Sequence, residues 1–271
     1  MPEQPDGSPM PDPGAFAPLA ASFHENSKFT RDRQINYSES VQYFESELNA
    51  MRAGRDRFQG ALTIPLDDEP LPLAPLGELA ARRRSQVGGW SGETPLTRRA
   101  LATILATAVG TTEQHRPAPS AGGRYPVECY VAVTDVSGLA PGIYHYAPGA
   151  RELRCIDPAD PTEALHTSCM QPENHHGARA VVLLTGVFSR TTSKYAERGY
   201  RFVLLEAGHI GQGICLAAES LSTSTLCLSG FYDHEVDELL QLDSQAESVV
   251  HSIVLGGAPD ESRSGRRGRG A

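Results

Sequence analysis

Lys194 and Tyr195 stand side by side among charged residues, at the entrance to the longest apolar periodic segment of the chain, KYAERGYRFVLLEAGHIGQGICLAAESL (194–221). A phenol is a poor base at its ordinary pKa of about 10, and a neighbouring ammonium improves it by stabilising the phenolate. Neighbours in an extended segment point opposite ways, so the division of work stays open: Tyr195 as base, Lys194 as base or electrostatic partner. A second cluster, Arg82-Arg83-Arg84-Ser85, gathers three guanidiniums and a hydroxyl. Arginine forks onto a phosphate through two parallel hydrogen bonds and serine adds a further donor; a solvated basic turn is the alternative. A third stretch, Arg116–Pro126, sets three prolines among small residues. Its rigid backbone could come close to something flat, or it is a tight connection.

Several elements must position these groups. Val203, Ala207, Ile210, Ile214, Ala217 and Leu221 recur at steps of four and three, one stripe of a helix. Beside it Leu204, Gly208, Gly211, Cys215 and Ala218 form a stripe of mostly small residues. Glycine costs about 1 kcal/mol in a helix relative to alanine, so Gly208, Gly211 and Gly213 need a packing or ligand reason. The glycines of this segment are spaced three and then two apart, the reverse of the dinucleotide fingerprint, and a Rossmann reading is rejected. Thr97 is a good N-cap for a helix over 98–109 that Gly110 stops. Strands are expected at 127–134, 142–146, 152–156, 180–187, 225–229 and 248–255, with a Pro148-Gly149 turn in the one hairpin. Short helices are expected at 162–170 and 234–240, and another around Val41, Phe44, Leu48 and Met51. The proline-rich IPLDDEPLPLAPLG (64–77) should run extended over a surface. Strands mixed with helices predict an α+β sandwich, a mostly antiparallel sheet covered by helices around one long central helix.

Composition narrows the classes. A net charge of −9 over 271 residues argues against nucleic acid or an acidic membrane as partner. The five cysteines are scattered, with no C-x-x-C pair, which points to buried free thiols in a reducing compartment rather than disulfides or zinc. No apolar run reaches membrane-spanning length and the N-terminus does not read as a signal peptide, so a cytoplasmic location is expected. His175-His176 bring no third ligand and no metal is expected; His209 reads as structural. The six prolines of residues 1–20 predict a disordered start, 21–258 a single domain, and 259–271 a disordered basic tail.

The phrases PSAGGRYP (119–126), GIYHYAP (142–148), KYAERGYRFVLLEAGHIGQ (194–212) and SGFYD (229–233), together with FHENSK (23–28) upstream, resemble one family in the right order. They look like SagB-type dehydrogenases, the McbC-like azoline oxidases of the nitroreductase superfamily. The resemblance spans roughly residues 80–257. It implies an FMN-dependent α+β fold, a homodimer with two FMN sites at the subunit interface, and oxidation of peptide thiazolines or oxazolines to thiazoles or oxazoles. It further implies a cyclodehydratase and a ribosomally made precursor peptide as partners. By the same resemblance Arg83, Arg84 and Ser85 match the phosphate cluster, and Pro119, Ser120, Ala121 and Gly122 the loop against the flavin ring. Ser229 and Gly230 match the backbone contact near its reactive edge, and Lys194 and Tyr195 the catalytic pair. Two departures bear on phosphate binding: Val87 stands where the family often has arginine, and the basic residue after the last strand has only Arg263 as a candidate. Two other readings are an NAD(P)H-dependent nitro or quinone reductase on the same fold, and a flavin-free scaffold of a biosynthetic complex.

Overall fold

Strand β3 (Val127–Val133) is buried at every position, so both of its faces must be covered. The pleat divides them. Val127, Cys129, Val131 and Val133 enter one core cluster, Tyr130 and Ala132 the other. β7 (Ala180–Val187) repeats the division, with Ala180, Val182 and Leu184 on the first side and Val181 and Leu183 on the second. The description covers residues 18–28, 58, 60–66, 68–87, 90, 95–111 and 115–257 in a computed structural model. The expected helix around Phe44, the candidate Arg263 and the tail 259–271 lie outside these residues.

The remaining strands are β1 (Thr63–Pro65), β2 (Leu96–Thr97), β4 (Val136–Ser137), β5 (Gly142–Ala147), β6 (Glu152–Asp157), β8 (Ser224–Leu228) and β9 (Glu247–Gly256). Of the nine described strands, seven form one sheet in the order β1-β6-β5-β3-β7-β9-β8, every neighbouring pair antiparallel; β2 and β4 make a small parallel pair. The helices are α1 (Pro18–Asn26), α2 (Leu76–Arg82), α3 (Arg98–Ala108), α4 (Thr162–Thr167), α5 (Ser189–Tyr195), α6 (Arg198–Ser220) and α7 (Asp233–Leu239). Helices α3 and α6 cover the first face; Leu165 of α4, Val236 of α7 and Trp90 cover the second. This is the α+β sandwich that the sequence implies, its sheet antiparallel throughout.

Local chemistry explains the boundaries. Thr97 caps α3 by accepting a hydrogen bond from the Ala100 amide at 3.1 Å, and a β-carbon on Gly110 would meet the Ala106 carbonyl oxygen. The stretch from 64 to 77 does cross over helices, but it is tied rather than loose: the Leu71 amide donates to Thr103 Oγ1 at 3.0 Å and the Ala74 amide to Ser220 Oγ at 2.7 Å. Its last two residues already belong to α2, an element absent from the sequence reading. Helix α1 starts at Pro18, three residues inside the stretch expected to be unstructured; Arg198 Nε and Arg201 Nη2 donate to its C-terminal carbonyls of Ser27 and His24, each at 2.6 Å.

The long segment at 194–221 divides in two. Ala196, at φ 47° and ψ −139°, ends α5, and α6 begins at Arg198. Val203, Ile210 and Ile214 are buried as the stripe predicts, each worth roughly 1.5–3 kcal/mol of burial. The small stripe has more than one neighbour. Gly211 lies under the His251 ring, a β-carbon there coming within 3.1 Å of it, while Gly208 faces open space. His251 reaches Gly211 because β9 carries a bulge opposite Leu184/Thr185. The extra residue puts Val249 on the second face but Ile253 and Leu255 on the first.

Candidate functional site

The candidate residues fall at two stations along α6. At the first, Lys194 and Tyr195 occupy the last turn of α5 and meet the tip of the loop 119–123. Gly122 has φ 62°, and a β-carbon there would lie 2.5 Å from Tyr195 Oη and 3.0 Å from Lys194 Nζ. The expectation that the two side chains diverge is corrected. It assumed an extended backbone, whereas a closing helical turn aims both at one point, with Lys194 Nζ 5.3 Å from the Tyr195 ring centroid. Phe202 packs edge-on against that ring at 5.0 Å and holds it. Tyr195 is buried and Lys194 half-buried.

The loop itself is pinned by charges absent from the sequence reading. Ser120 Oγ accepts from the Tyr125 amide at 2.8 Å. Glu206, buried in α6, hydrogen-bonds Ser120 and the backbone of Val127. Burial is the larger influence and pushes its carboxyl up to about 7, against those hydrogen bonds and the nearby Arg116 and Arg190. Arg190 Nη1 donates to the Tyr125 carbonyl at 2.8 Å and its Nη2 pairs with buried Glu128 at 2.6 Å. Glu128 also meets His145 Nε2 at 3.0 Å, and Arg116 lies over the Tyr125 ring at 4.7 Å. A buried ion pair is costly to break, because the surviving charge is left desolvated. In the sequence, Glu206 carried a signal: it interrupts the apolar run of α6 at a position between buried Val203 and Ile210.

The second station is the edge strand β8. Ser85 bridges Thr225 in parallel, and the Gln86 amide donates to the Thr225 carbonyl at 2.9 Å. Arg83, half-buried at the C-cap of α2, acts electrostatically on the thiols of Cys215 and Cys227. Arg84 does not join it: its Nη1 donates to the carbonyls of Ala81 at 3.1 Å, Arg82 at 3.4 Å and Arg83 at 3.1 Å. Arg82 reaches Glu219 at 3.5 Å. The cluster of three guanidiniums is therefore divided among three tasks. Past the end of β8, Ser229 Oγ lies 3.4 Å from His251 Nδ1, and the Gly230 carbonyl accepts from the Met170 amide at 2.9 Å. A half-buried guanidinium and an exposed hydroxyl on one sheet edge suit a phosphate.

His209 is exposed on α6, and Val87 is 58% exposed. Among the described residues no group of histidine, cysteine and carboxylate side chains could hold a metal. No described helix is long and apolar enough to cross a membrane.

An antiparallel sheet covered on one face by a long central helix is the fold of nitroreductase-type oxidoreductases. The nitroreductase family profile matches residues 82–257, and the chain belongs to that family. Two of the relatives are peptide-processing proteins. The chain is similar to the Escherichia coli microcin B17-processing protein McbC, 25% identical over 61% of this chain and 64% of McbC. It is similar also to the trifolitoxin-processing protein TfxB of Rhizobium leguminosarum, 31% identical over 58% of this chain and 43% of TfxB. A nitroreductase homologue of Methanocaldococcus jannaschii, MJ1384, is 36% identical over 55% of this chain and 76% of its own. Among solved structures, a nitroreductase homologue from Anabaena variabilis superposes with a TM-score of 0.66 at 28% identity, covering 76% of this chain and 43% of that one. The E. coli microcin synthetase McbBCD complex with truncated pro-MccB17 shares the fold at a TM-score of 0.59 and 18% identity, over 86% of this chain and 99% of that one. The chain thus spans less than two thirds of either peptide-processing relative.

Proposed function

We propose that this chain is an FMN-dependent dehydrogenase that oxidises thiazolines or oxazolines in a ribosomally made peptide to the corresponding azoles. The observation that carries the reading is the convergence of Lys194 Nζ and Tyr195 Oη on Gly122. Aromatising an azoline removes a proton alpha to a carbonyl and a hydride from the neighbouring ring carbon. FMN, when bound, supplies the hydride acceptor. The proton falls to this chain: Tyr195 Oη is the base, and the Lys194 ammonium converges on the same point beside it. Arg83 and Ser85 hold the phosphate, and Ser229–Gly230 borders the ring. The loop Pro119–Gly122, fixed by Glu206, presents the pair.

Three partners belong to this reading. Leu204 and Leu205 are 42% and 58% exposed on the open side of α6, beside Gly208 with free space above it. An apolar face on the central helix is what a second copy would cover, so the working unit is a homodimer. The likeness to McbC and TfxB, both named for peptide processing, supports a precursor peptide as substrate and a cyclodehydratase as the preceding enzyme. The test is the purified protein with an azoline-bearing peptide. A flavin absorption spectrum and a mass loss of two hydrogens per ring are expected. Steady oxidation of NAD(P)H with a nitroaromatic and no change in the peptide would favour the reductase reading instead, in line with the similarity to MJ1384.

A further inference from the structure

We infer that Cys215 and Cys227 are an oxidant-responsive dithiol, which peroxide closes into an intrachain disulfide beside Arg83. The two cysteines are 12 residues apart in sequence, one in α6 and one in β8, and their sulfurs lie 3.6 Å from each other. The scattered cysteines of the sequence are thus not all isolated thiols, nor all buried, since Cys227 is exposed and gives a small oxidant access.

The surroundings separate this pair from the other thiols. Cys215 receives a hydrogen bond from Cys227, interacts with Thr225 and faces Arg83; together these outweigh burial and bring its thiol down to about 7. Cys227 shifts the opposite way, as the partner that keeps its proton. The reactive form of a cysteine is the thiolate, and a thiolate beside a guanidinium is the usual environment of an oxidant-sensitive one. Cys129 is fully enclosed beside the Glu128 carboxylate and burial drives its thiol well up. Cys155 is raised as well, by burial and Asp157. Selectivity for the Cys215–Cys227 pair therefore follows from geometry and charge together.

The step balances with hydrogen peroxide as the two-electron oxidant. The Cys215 thiolate attacks one peroxide oxygen, the O–O bond breaks, and hydroxide leaves to give a sulfenic acid. Cys227 sulfur then attacks the Cys215 sulfur, the S–O bond breaks and water leaves with the Cys227 proton. Two thiols and one peroxide become one disulfide and two waters. To bond, the sulfurs must close from 3.6 Å to about 2.04 Å. Among the described residues β8 lies at the sheet edge, paired on one side with β9 and bridged on the other at Ser85. An edge strand held in this way can shift by that amount more readily than a central one. Reoxidation of a reduced flavin by oxygen releases peroxide, so under the proposed function the oxidant would form in the same protein; the inference itself rests on the sulfur geometry and the neighbouring charge, not on bound flavin.

The test exposes the full-length protein to dilute hydrogen peroxide, alkylates the remaining thiols and maps cysteines by mass after cleavage at Glu219, which lies between the two. The expected result is the loss of two hydrogens, a fragment pair joined through Cys215 and Cys227, and full reversal by dithiothreitol. In Cys227→Ser, altered at an exposed position, the cross-link should disappear and Cys215 should instead be trapped by dimedone as the sulfenic acid. Cys227 oxidised alone to the sulfinic acid with Cys215 unmodified would overturn the inference. So would a cross-link between two copies through Cys227, or wild-type thiols that stay reduced. None of these readouts depends on bound flavin or on peptide turnover, so this inference can fail while the proposed function stands, and the reverse.

Discussion

A β-carbon on Gly122 would stand 2.5 Å from the phenolic oxygen of Tyr195, so the tip of the 119–123 loop and the end of α5 fit only because position 122 has no side chain. The residue also sits at φ 62°, where an L side chain costs roughly 1–2 kcal/mol. Gly122→Ala should therefore lower the melting temperature by a few degrees and displace the Lys194–Tyr195 pair. Azoline turnover should fall at least tenfold. Thermal melts beside a mass assay of the peptide check both halves, and unchanged turnover would detach the loop tip from the site.

Tyr195→Phe removes one hydroxyl and keeps the ring against Phe202. General base catalysis is typically worth about 10²–10⁴-fold, and turnover should drop by that factor with FMN still bound. Lys194→Ala should do the same. If the two groups act as one unit at Gly122, the double variant loses less than the product of the single losses. Full activity in both single variants would remove the pair from the chemistry.

The arginines of the RRRS cluster should not be equivalent. Arg83 faces the β8 edge, whereas Arg84 is folded back on the carbonyls of residues 81–83. A charge-assisted hydrogen bond contributes about 1.5–3 kcal/mol, so Arg83→Ala should weaken FMN binding tenfold or more. Arg84→Ala should change it far less. Fluorescence titration of the apoprotein at fixed salt decides, and equal effects would contradict the division of roles.

Glu206 predicts a pH dependence of stability. Its carboxyl titrates at about 7 in the folded chain against 4.5 for the free group, so between these values the folded state binds more protons than the unfolded one. Stability from this residue is then fully present below pH 4.5, falls as pH rises through the window, and is flat above 7. The whole effect is roughly 3 kcal/mol at 1.36 kcal/mol per unit. Glu206→Gln, a neutral analogue that can still accept from Ser120, should show no such fall. The difference between variant and wild type in urea unfolding should grow across the window, and parallel pH curves would refute the buried-carboxylate assignment.

Local sequence patterns alone placed the main strands, the capped helix at 98–108 and the buried stripe of α6, because each is written in local spacing that packing did not override. Val203 and Ile214 are apolar at helical intervals, and nothing distant was needed to bury them. The candidate residues were legible too, as types and as a resemblance. Their arrangement was not. That Ala196 breaks the segment, and so turns Lys194 and Tyr195 toward Gly122, depends on a loop more than 70 positions earlier. Arg84 looked identical to Arg83 in the string, and only the end of α2 separates their tasks. Glu206 reaches Ser120, and Cys215 reaches Cys227, across the gap between helix and sheet. Such contacts carry no period, since they are set by how elements pack in three dimensions and not by the order of residues within any one of them.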